Sequence, residues 1–354
     1  MSPSARTSRA AIAARMPAVR SSRLKKPTRT PQPTSPNDLS RVGVVFPGQG
    51  SQAVGMGADV AVQSTTAQDV FDRAAGVLGY DLLALQTAGP DEKLRETQYS
   101  QPAIFTTNVA LYAAVGDDLQ PVVSAGHSFG EICSLVAAKS LDFEDAVHVV
   151  DERARAMQDA AEKAPGGMSA VLGLDVTEIE RVVRETNAGA AAGRVALANF
   201  NAPSQIVISG DLHAVQQAGE EMLKAGAKRI VPLNVSGAWH SELMRPAVAR
   251  FAAAVAEADF VLPQFDVVSN VDAEPYTDVE TIRDHLVRSI VSQVRWYETA
   301  AKLLAYGLDM VVEFGASGVL GPLMKRMPGA PEVVTVSDFS GVEKLRGRLA
   351  KASA

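Results

Sequence analysis

The apolar positions of this chain fall in short runs separated by longer stretches of helical spacing. Val42 to Phe46 is a five-residue apolar run followed by a glycine-rich turn, which predicts a short buried strand. Val70 to Leu78 and Pro102 to Val115 have helical spacing, Pro121 to Ala125 reads as a second short strand, and Glu131 to Lys139 follows as a helix. Asp142 is placed to cap a long helix running to about Lys163, and Pro165-Gly166-Gly167 ends it. Strands near Phe265 to Ser269 and Met310 to Phe314 resume the alternation after Gly237. Such alternation predicts an α/β fold with a largely parallel sheet.

The stretch between these parts has a rhythm of its own. It reads strand (Met168 to Leu174), helix (Thr177 to Thr186), strand (Arg194 to Asn199), strand (Gln205 to Ser209), helix (Leu212 to Ala225) and strand (Arg229 to Val235). The order βαββαβ is that of a ferredoxin-like unit. The expected organisation is therefore a large α/β-hydrolase-like catalytic domain from residues 41–165 and 237–354, with a small ferredoxin-like domain, 166–236, inserted in it. A cleft between two such bodies is where ligands usually bind.

Composition narrows the picture. With 47% hydrophobic and 21% charged residues the chain sits in the range of soluble globular proteins, and no apolar run approaches the length of a membrane helix. A single cysteine, Cys133, excludes an intramolecular disulfide framework and a thiolate-rich metal site, and its simplest reading is a small buried apolar residue. The net charge of -6 conceals an asymmetry. Residues 1–40 hold eight Lys/Arg against one acid, Asp38, so the remainder has 26 basic and 39 acidic residues, a net charge of -13. A body that acidic repels nucleic acid. The first forty residues, rich in Ser, Pro, Thr and Arg, predict a disordered basic tail. They read as a transit peptide, a solvated tail or a start codon set too far upstream; the apolar stretch Ala10 to Ala14 is too short for a secretory signal.

Candidate chemistry centres on Gly126-His127-Ser128-Phe129-Gly130, a Gly-x-Ser-x-Gly pattern with a strand before it and a helix after it. A sharp strand-to-helix turn needs the flanking glycines and holds the Ser128 hydroxyl above the sheet, at a helix N-terminus suited to an oxyanion. A serine needs a base, and five histidines are available. His127 adjoins the serine and should point away from it. His148, His213 and His285 lie in or near helical patterns, where packed or solvated histidines are usual. His240 stands in a loop where the small domain rejoins the large one, and that position favours it without removing the others.

With these residues in place, further motifs bring out a resemblance. In order they are Phe46-Pro47-Gly48-Gln49-Gly50-Ser51-Gln52, Gln101-Pro102-Ala103, the serine motif with Glu131, Arg153 with Met157-Gln158, Asn199-Phe200-Asn201-Ala202-Pro203, His240-Ser241-Glu242-Leu243-Met244 and Val294-Arg295-Trp296. From about Val42 to Arg326 the chain resembles the malonyl-CoA:acyl-carrier-protein transacylases, relatives of the acyltransferase domains of fatty-acid and polyketide synthases. The resemblance implies an acyltransferase that moves malonyl from malonyl-CoA to acyl carrier protein by a ping-pong route through an ester on Ser128. His240 would be the base, held by a backbone carbonyl near Val294-Arg295-Trp296 and not by a carboxylate. Gln49 and Phe129 would supply oxyanion-hole N–H groups, and Arg153 would pair with the malonate carboxylate, a task that suits a planar guanidinium fork. Trp239, Arg295 and Asn199 are expected to line the pocket or position the histidine, the bulk of Trp239 favouring malonyl over methylmalonyl. Lys325 and Arg326 are candidates for docking the acidic carrier.

The implied partners are malonyl-CoA, coenzyme A and acyl carrier protein, with no nucleic acid, membrane, metal or resident cofactor. The expected enzyme is a monomer of the cytoplasm, or of a plastid or mitochondrion if residues 1–40 are a transit peptide. Two departures from the family pattern, Ile132 after Glu131 and Ser317 in Gly315-Ala316-Ser317-Gly318-Val319-Leu320, bear on the shape of the pantetheine channel. Three rivals stand beside this reading. One is a serine thioesterase or hydrolase using the same Ser-His pair, and another is a catalytically silent docking partner. The third is a dinucleotide-binding domain, from Gly48-Gln49-Gly50-Ser51-Gln52-Ala53 after a strand.

Overall fold

The computed structural model describes Leu39, residues 41–189 and residues 194–352. Apart from Leu39, the expected basic tail of residues 1–40 lies outside the described residues.

The chain enters along β1 (Val42–Phe46), every residue of it buried, and then builds α1 (Ala58–Gln63), α2 (Thr65–Leu78), α3 (Leu82–Ala88), α4 (Asp91–Arg95) and α5 (Thr97–Val115). β2 (Pro121–Gly126), α6 (Gly130–Ala137) and α7 (Phe143–Lys163) follow. Next come β3 (Gly166–Leu172), α8 (Val176–Ala188), β4 (Val195–Ala202), β5 (Gln205–Asp211), α9 (Leu212–Lys224) and β6 (Arg229–Pro232). A 3-10 segment, Glu242–Ala247, leads into α10 (Val248–Glu257), β7 (Asp266–Val268), α11 (Val279–Ser289) and α12 (Trp296–Leu304). The chain closes with β8 (Met310–Phe314), α13 (Leu320–Met324), β9 (Glu332–Val336) and α14 (Phe339–Ala352).

Two sheets result. The first has the order β7-β2-β1-β8-β9 and is parallel throughout. Alternate residues of its strands serve opposite faces, as the strand period demands. Val44, Phe46, Val312 and Phe314 join one core with the α5 residues Phe105 and Leu111, whereas Val45, Val123 and Val311 join another with Trp296 and Leu303 of α12. The second sheet has the order β4-β5-β3-β6, antiparallel throughout, with α8 and α9 packed on it through Ile179, Val182, Val215 and Met222. This is the ferredoxin-like arrangement expected from βαββαβ. In the parallel sheet β1 lies beside β2, Phe46 opposite Gly126, so the loops leaving both strands open at the same edge. Ligands of open α/β sheets bind at such carboxyl ends, next to the point where strand order reverses.

Several expected bounds shift. Helix α5 begins at Thr97, not Pro102, and carries that proline inside it; the start is set by a tertiary contact, the Thr97 N–H donating to Gln158 Oε1 at 3.3 Å. β3 begins at Gly166, and β6 stops at Pro232 instead of reaching Val235. The loop from Pro47 to Gly57 separates β1 from α1, so no helix N-terminus follows the glycines as a dinucleotide site requires. Ser317 causes no strain, since neither it nor Gly315 or Gly318 takes a positive φ. Its hydroxyl donates to the Ser51 carbonyl at 3.3 Å. Ile132 is 1% exposed and belongs to the core, not to the wall of the serine cavity. Among the described residues, no helix is long and apolar enough to cross a membrane.

Glu313 on β8 anchors the segment before α13. Fully buried, it accepts the N–H groups of Val319 and Leu320 through Oε1 at 2.7 Å each, and that of Gly321 through Oε2 at 2.8 Å. Replacing it by leucine would orphan two buried donors, those of Leu320 and Gly321, and a part-buried one, that of Val319, the buried ones costing roughly 1–3 kcal/mol each. Glu313→Leu is therefore expected to lower unfolding free energy by about 3 kcal/mol or more in urea titration, with Glu313→Gln losing less. Equal stability of Glu313→Leu and wild type would contradict this account.

Candidate active site

At the end of β2 the backbone turns so tightly that side chains are excluded. A Cβ on Gly126 would lie 1.8 Å from the carbonyl carbon of Gly130, and one on Gly130 would lie 2.3 Å from the Phe46 carbonyl oxygen. Between them Ser128 takes φ 55, a left-handed conformation that non-glycine residues rarely adopt. Its hydroxyl is thereby held out at the end of the sheet. Gly48, on the loop after β1, approaches in the same way: its Cβ would sit 2.5 Å from the His127 carbonyl oxygen. That contact brings Gln49 alongside Ser128 in the wall of one small cavity of about 70 Å³.

Of the five histidines, His240 is the one beside the serine. Ser128 Oγ and His240 Nε2 are 2.8 Å apart, and His240 Nδ1 lies 2.8 Å from the Ser289 carbonyl oxygen. A carbonyl only accepts, so Nδ1 carries the proton and Nε2 is left free to accept from the serine hydroxyl. His240 itself has φ 59, and the following Ser241 hydroxyl donates to the Ala238 carbonyl at 2.6 Å, folding the loop back. Burial, reinforced by the charge of Arg153, lowers the imidazole to about 3. It is therefore neutral at any ordinary pH.

The carbonyl that orients His240 is that of Ser289, the last residue of α11, and not one in Val294-Arg295-Trp296. Arg295 does not position the histidine either: its guanidinium pairs with Glu298 and reaches the Val271 carbonyl. The role of that segment is different. Val294 exchanges backbone hydrogen bonds with β4, its N–H donating to Ala198 and its carbonyl accepting from Phe200, both at 2.8 Å.

Arg153 is 1% exposed, so it is no surface ion-pair residue. It projects from α7, donating through Nη1 to Gln101 Oε1 at 2.7 Å and through Nη2 to Ser128 Oγ at 3.1 Å. Burial lowers its guanidinium to about 10, and it remains charged at neutral pH. Both hydrogen bonds go to neutral groups, which leaves the cation without a bonded anion. Gln101 was legible as part of a motif, but not as the group that aims Arg153.

Trp239 and Asn199 line the cavity, and the Trp239 Nε1 and Asn199 Oδ1 atoms are buried without a hydrogen-bond partner. The ring of Trp239 folds over Gly237, where a Cβ would be 2.5 Å from it. His127 also borders the cavity, but its Nε2 donates to Asn201 Oδ1 at 3.0 Å and burial lowers its pKa, which fits a structural part. No acceptor among the described residues takes the backbone N–H of Gln49 or of Phe129, the residue preceding α6. Ser128's own N–H is taken, donating to Asn270 Oδ1 at 3.1 Å. Nothing in the local sequence marked Asn270. Lys325 and Arg326 are exposed just after α13, outside this cavity. A neighbouring cavity of about 570 Å³ shares Met168, Leu233 and Val235 with it.

The arrangement provides a hydroxyl, a neutral base oriented to deprotonate it, unspent backbone donors and a buried cation. These are the elements of acyl transfer through a serine ester. Comparison with known proteins points the same way. Residues 44–326 match the family model described as acyl transferase domain. The malonyl CoA-acyl carrier protein transacylase of Salmonella typhimurium is 41% identical over 291 residues, 82% of this chain and 93% of that protein. The solved acyl carrier protein S-malonyltransferase of Vibrio cholerae superposes with a TM-score of 0.81 at 41% identity, covering 86% of this chain and all of that one. A malonyl-transacylase solved with its type II polyketide acyl-carrier protein gives 0.83 at 38% identity, covering 87% and 99%. With its fold, its motifs and these relatives in agreement, the chain belongs to the malonyl CoA-acyl carrier protein transacylase family.

Proposed function

We propose that this protein transfers the malonyl group of malonyl-CoA to the phosphopantetheine thiol of acyl carrier protein, in fatty-acid or polyketide synthesis, through a malonyl ester on Ser128. The observation that carries the reading is the meeting at one hydroxyl of His240 Nε2, at 2.8 Å, and Arg153 Nη2, at 3.1 Å. His240 takes the hydroxyl proton as Oγ attacks the thioester carbonyl, and the oxyanion is met by the N–H groups of Gln49 and Phe129. Collapse breaks the C–S bond, and the imidazolium returns its proton to the departing coenzyme A thiolate. The second half reverses these steps with the carrier thiol as nucleophile.

Arg153 turns its fork from the serine to the malonate carboxylate, which fixes the acyl group while the charge of the cation is neutralised. Trp239 limits room beside the acyl α-carbon and Asn199 offers an unspent oxygen. The larger adjoining cavity would receive the pantetheine arm, and Lys325 with Arg326 would meet the acidic carrier. The chain that carries Ser128 also supplies His240 and Arg153, which fits a catalyst that works as a monomer. The lone buried thiol of Cys133 suits a reducing compartment such as the cytoplasm.

Intact-mass measurement after brief exposure to malonyl-CoA is expected to show one malonyl adduct on wild type and none on Ser128→Ala. Arg153→Ala should cut kcat/KM for malonyl-CoA by about a hundredfold or more, as losses from a buried charge pair run to roughly 2–5 kcal/mol, and leave acetyl-CoA turnover little changed. Free malonate released in step with coenzyme A, with no malonyl-carrier formed, would establish a hydrolase instead.

The acylation rate has a defined pH response. The neutral imidazole is the active form, and a pKa lowered to about 3 extends that form toward acid. The rate of malonyl-enzyme formation should stay flat from pH 8 to about pH 5, below the roughly 6.5 of an ordinary histidine. An acid limb centred near 6.5 would show that His240 is not held in this way.

Replacing Lys325 and Arg326 together by Glu should raise KM for the carrier by about tenfold and leave malonyl-Ser128 formation from malonyl-CoA unaffected. Equal losses in both half-reactions would remove these residues from the carrier surface.

A further inference from the structure

The strained turn at Ser128 is clamped by a buried polar group that the chemistry above does not use. Asn270 lies two residues beyond β7, which pairs with β2. It is 1% exposed. Its Oδ1 accepts the Ser128 N–H at 3.1 Å, and its Nδ2 donates both to the Gly126 carbonyl at 2.9 Å and to Glu131 Oε2. Glu131, also 1% exposed, accepts the Tyr276 hydroxyl through its other oxygen. The backbone carbonyl of Asn270 is fixed in turn by the Arg295 N–H at 3.1 Å.

We infer that Asn270 is a positioning residue that holds Ser128 in its left-handed conformation, and that Glu131 orients Asn270 for this task. One amide spans the turn, gripping the carbonyl of residue 126 and the N–H of residue 128. Rotation of the intervening peptides toward a relaxed φ breaks one grip or the other. The orientation of the amide is determined as well. Flipped, it would set its NH2 against the Ser128 N–H and its oxygen against both the Gly126 carbonyl and the Glu131 carboxylate. As a carboxylate Glu131 disfavours that flip: it accepts hydrogen bonds through both oxygens, and it is absent from the cavity wall. Clamping Ser128 keeps Oγ in reach of His240 and Arg153 together, and leaves Phe129 and Gln49 as the donors for an oxyanion.

This inference rests on the reading of Ser128 as the acylated residue, and its test separates the two. Malonyl-enzyme formation and sulfonylation of Ser128 by phenylmethylsulfonyl fluoride, a reagent with no carboxylate, are measured per folded molecule. The proteins are wild type, Asn270→Asp, Glu131→Gln and the double variant. Each single variant is expected to lose about tenfold to a hundredfold in the kcat of acylation, the scale set by sub-ångström to 1 Å misplacement, with KM for malonyl-CoA changing far less because neither Arg153 nor Gln101 is replaced. Sulfonylation should slow in parallel. The double variant exchanges carboxylate and amide, restores a donor–acceptor pair between positions 131 and 270, and should recover at least about fivefold over Asn270→Asp.

Wild-type kcat in single variants that melt at lower temperature would reduce Asn270 to a stabilising residue and overturn the proposal, as would multiplicative losses in the double variant. Should Asn270→Asp not fold, Glu131→Gln and Tyr276→Phe carry the same test, the latter with a loss of about fivefold; wild-type kcat in both overturns it. No malonyl adduct on wild type, with sulfonylation still slowed in the Asn270 variants, would refute malonyl transfer alone and leave the positioning role standing.

Discussion

The structure depends on three stretches of backbone meeting with no room for a methyl group between them. Gly126 and Gly130 touch across the turn, Gly130 abuts the carbonyl oxygen of Phe46, and Gly48 abuts that of His127. Parallel pairing of β1 with β2 brings these stretches to the same edge, and the absence of side chains lets them close. One consequence is the φ of 55 at Ser128, which sets the hydroxyl out from the sheet. Another is that the Gln49 loop borders the hydroxyl. The donors of the site are thus backbone groups fixed by packing, and they need no reorganisation when charge develops.

Electrostatics adds a second layer. Arg153 and His240 are both buried, and the guanidinium disfavours a proton on the imidazole. In the free protein the base is consequently weak but always available. In the malonyl-transfer reading proposed above, a substrate carboxylate on Arg153 would offset that buried cation.

What could be read in the sequence was whatever has a local signature. The glycines of the elbow, the five-residue runs of β1 and β8 and the βαββαβ rhythm are all local, and the structure reproduces them. His240 was favoured by its place at a junction. Arg153 was legible through motif order alone, because an arginine near Asp151 and Asp159 on a helix reads more readily as half of a surface ion pair. Groups that act across the chain were invisible. Asn270 reaches Ser128 over 142 positions, and the carbonyl of Ser289 holds His240 whatever side chain it bears. In the sequence Glu313 is one acid in an apolar strand, with nothing to mark the three backbone N–H groups it accepts. Strand β9 and helices α10 to α14 went largely unmarked, although α11 carries a local start signal, the Asp278 side chain accepting the Thr281 N–H at 2.7 Å.

The segment Val294-Arg295-Trp296 shows how a motif can be important for a reason other than the one first assigned. Its first residue pairs with β4 of the antiparallel sheet, on both sides, through Ala198 and Phe200. Its second residue holds the carbonyl of Asn270, which clamps the elbow, and its third packs beneath the parallel sheet and faces His127. β4 also brings Asn199 to the cavity and Asn201 to His127. The ferredoxin-like sheet is thus stitched to the nucleophile turn by two routes that converge on the same few residues. β4 is thus linked to the turn that carries Ser128 by two chains of hydrogen bonds, one through Val294, Arg295 and Asn270 and the other through Asn201 and His127.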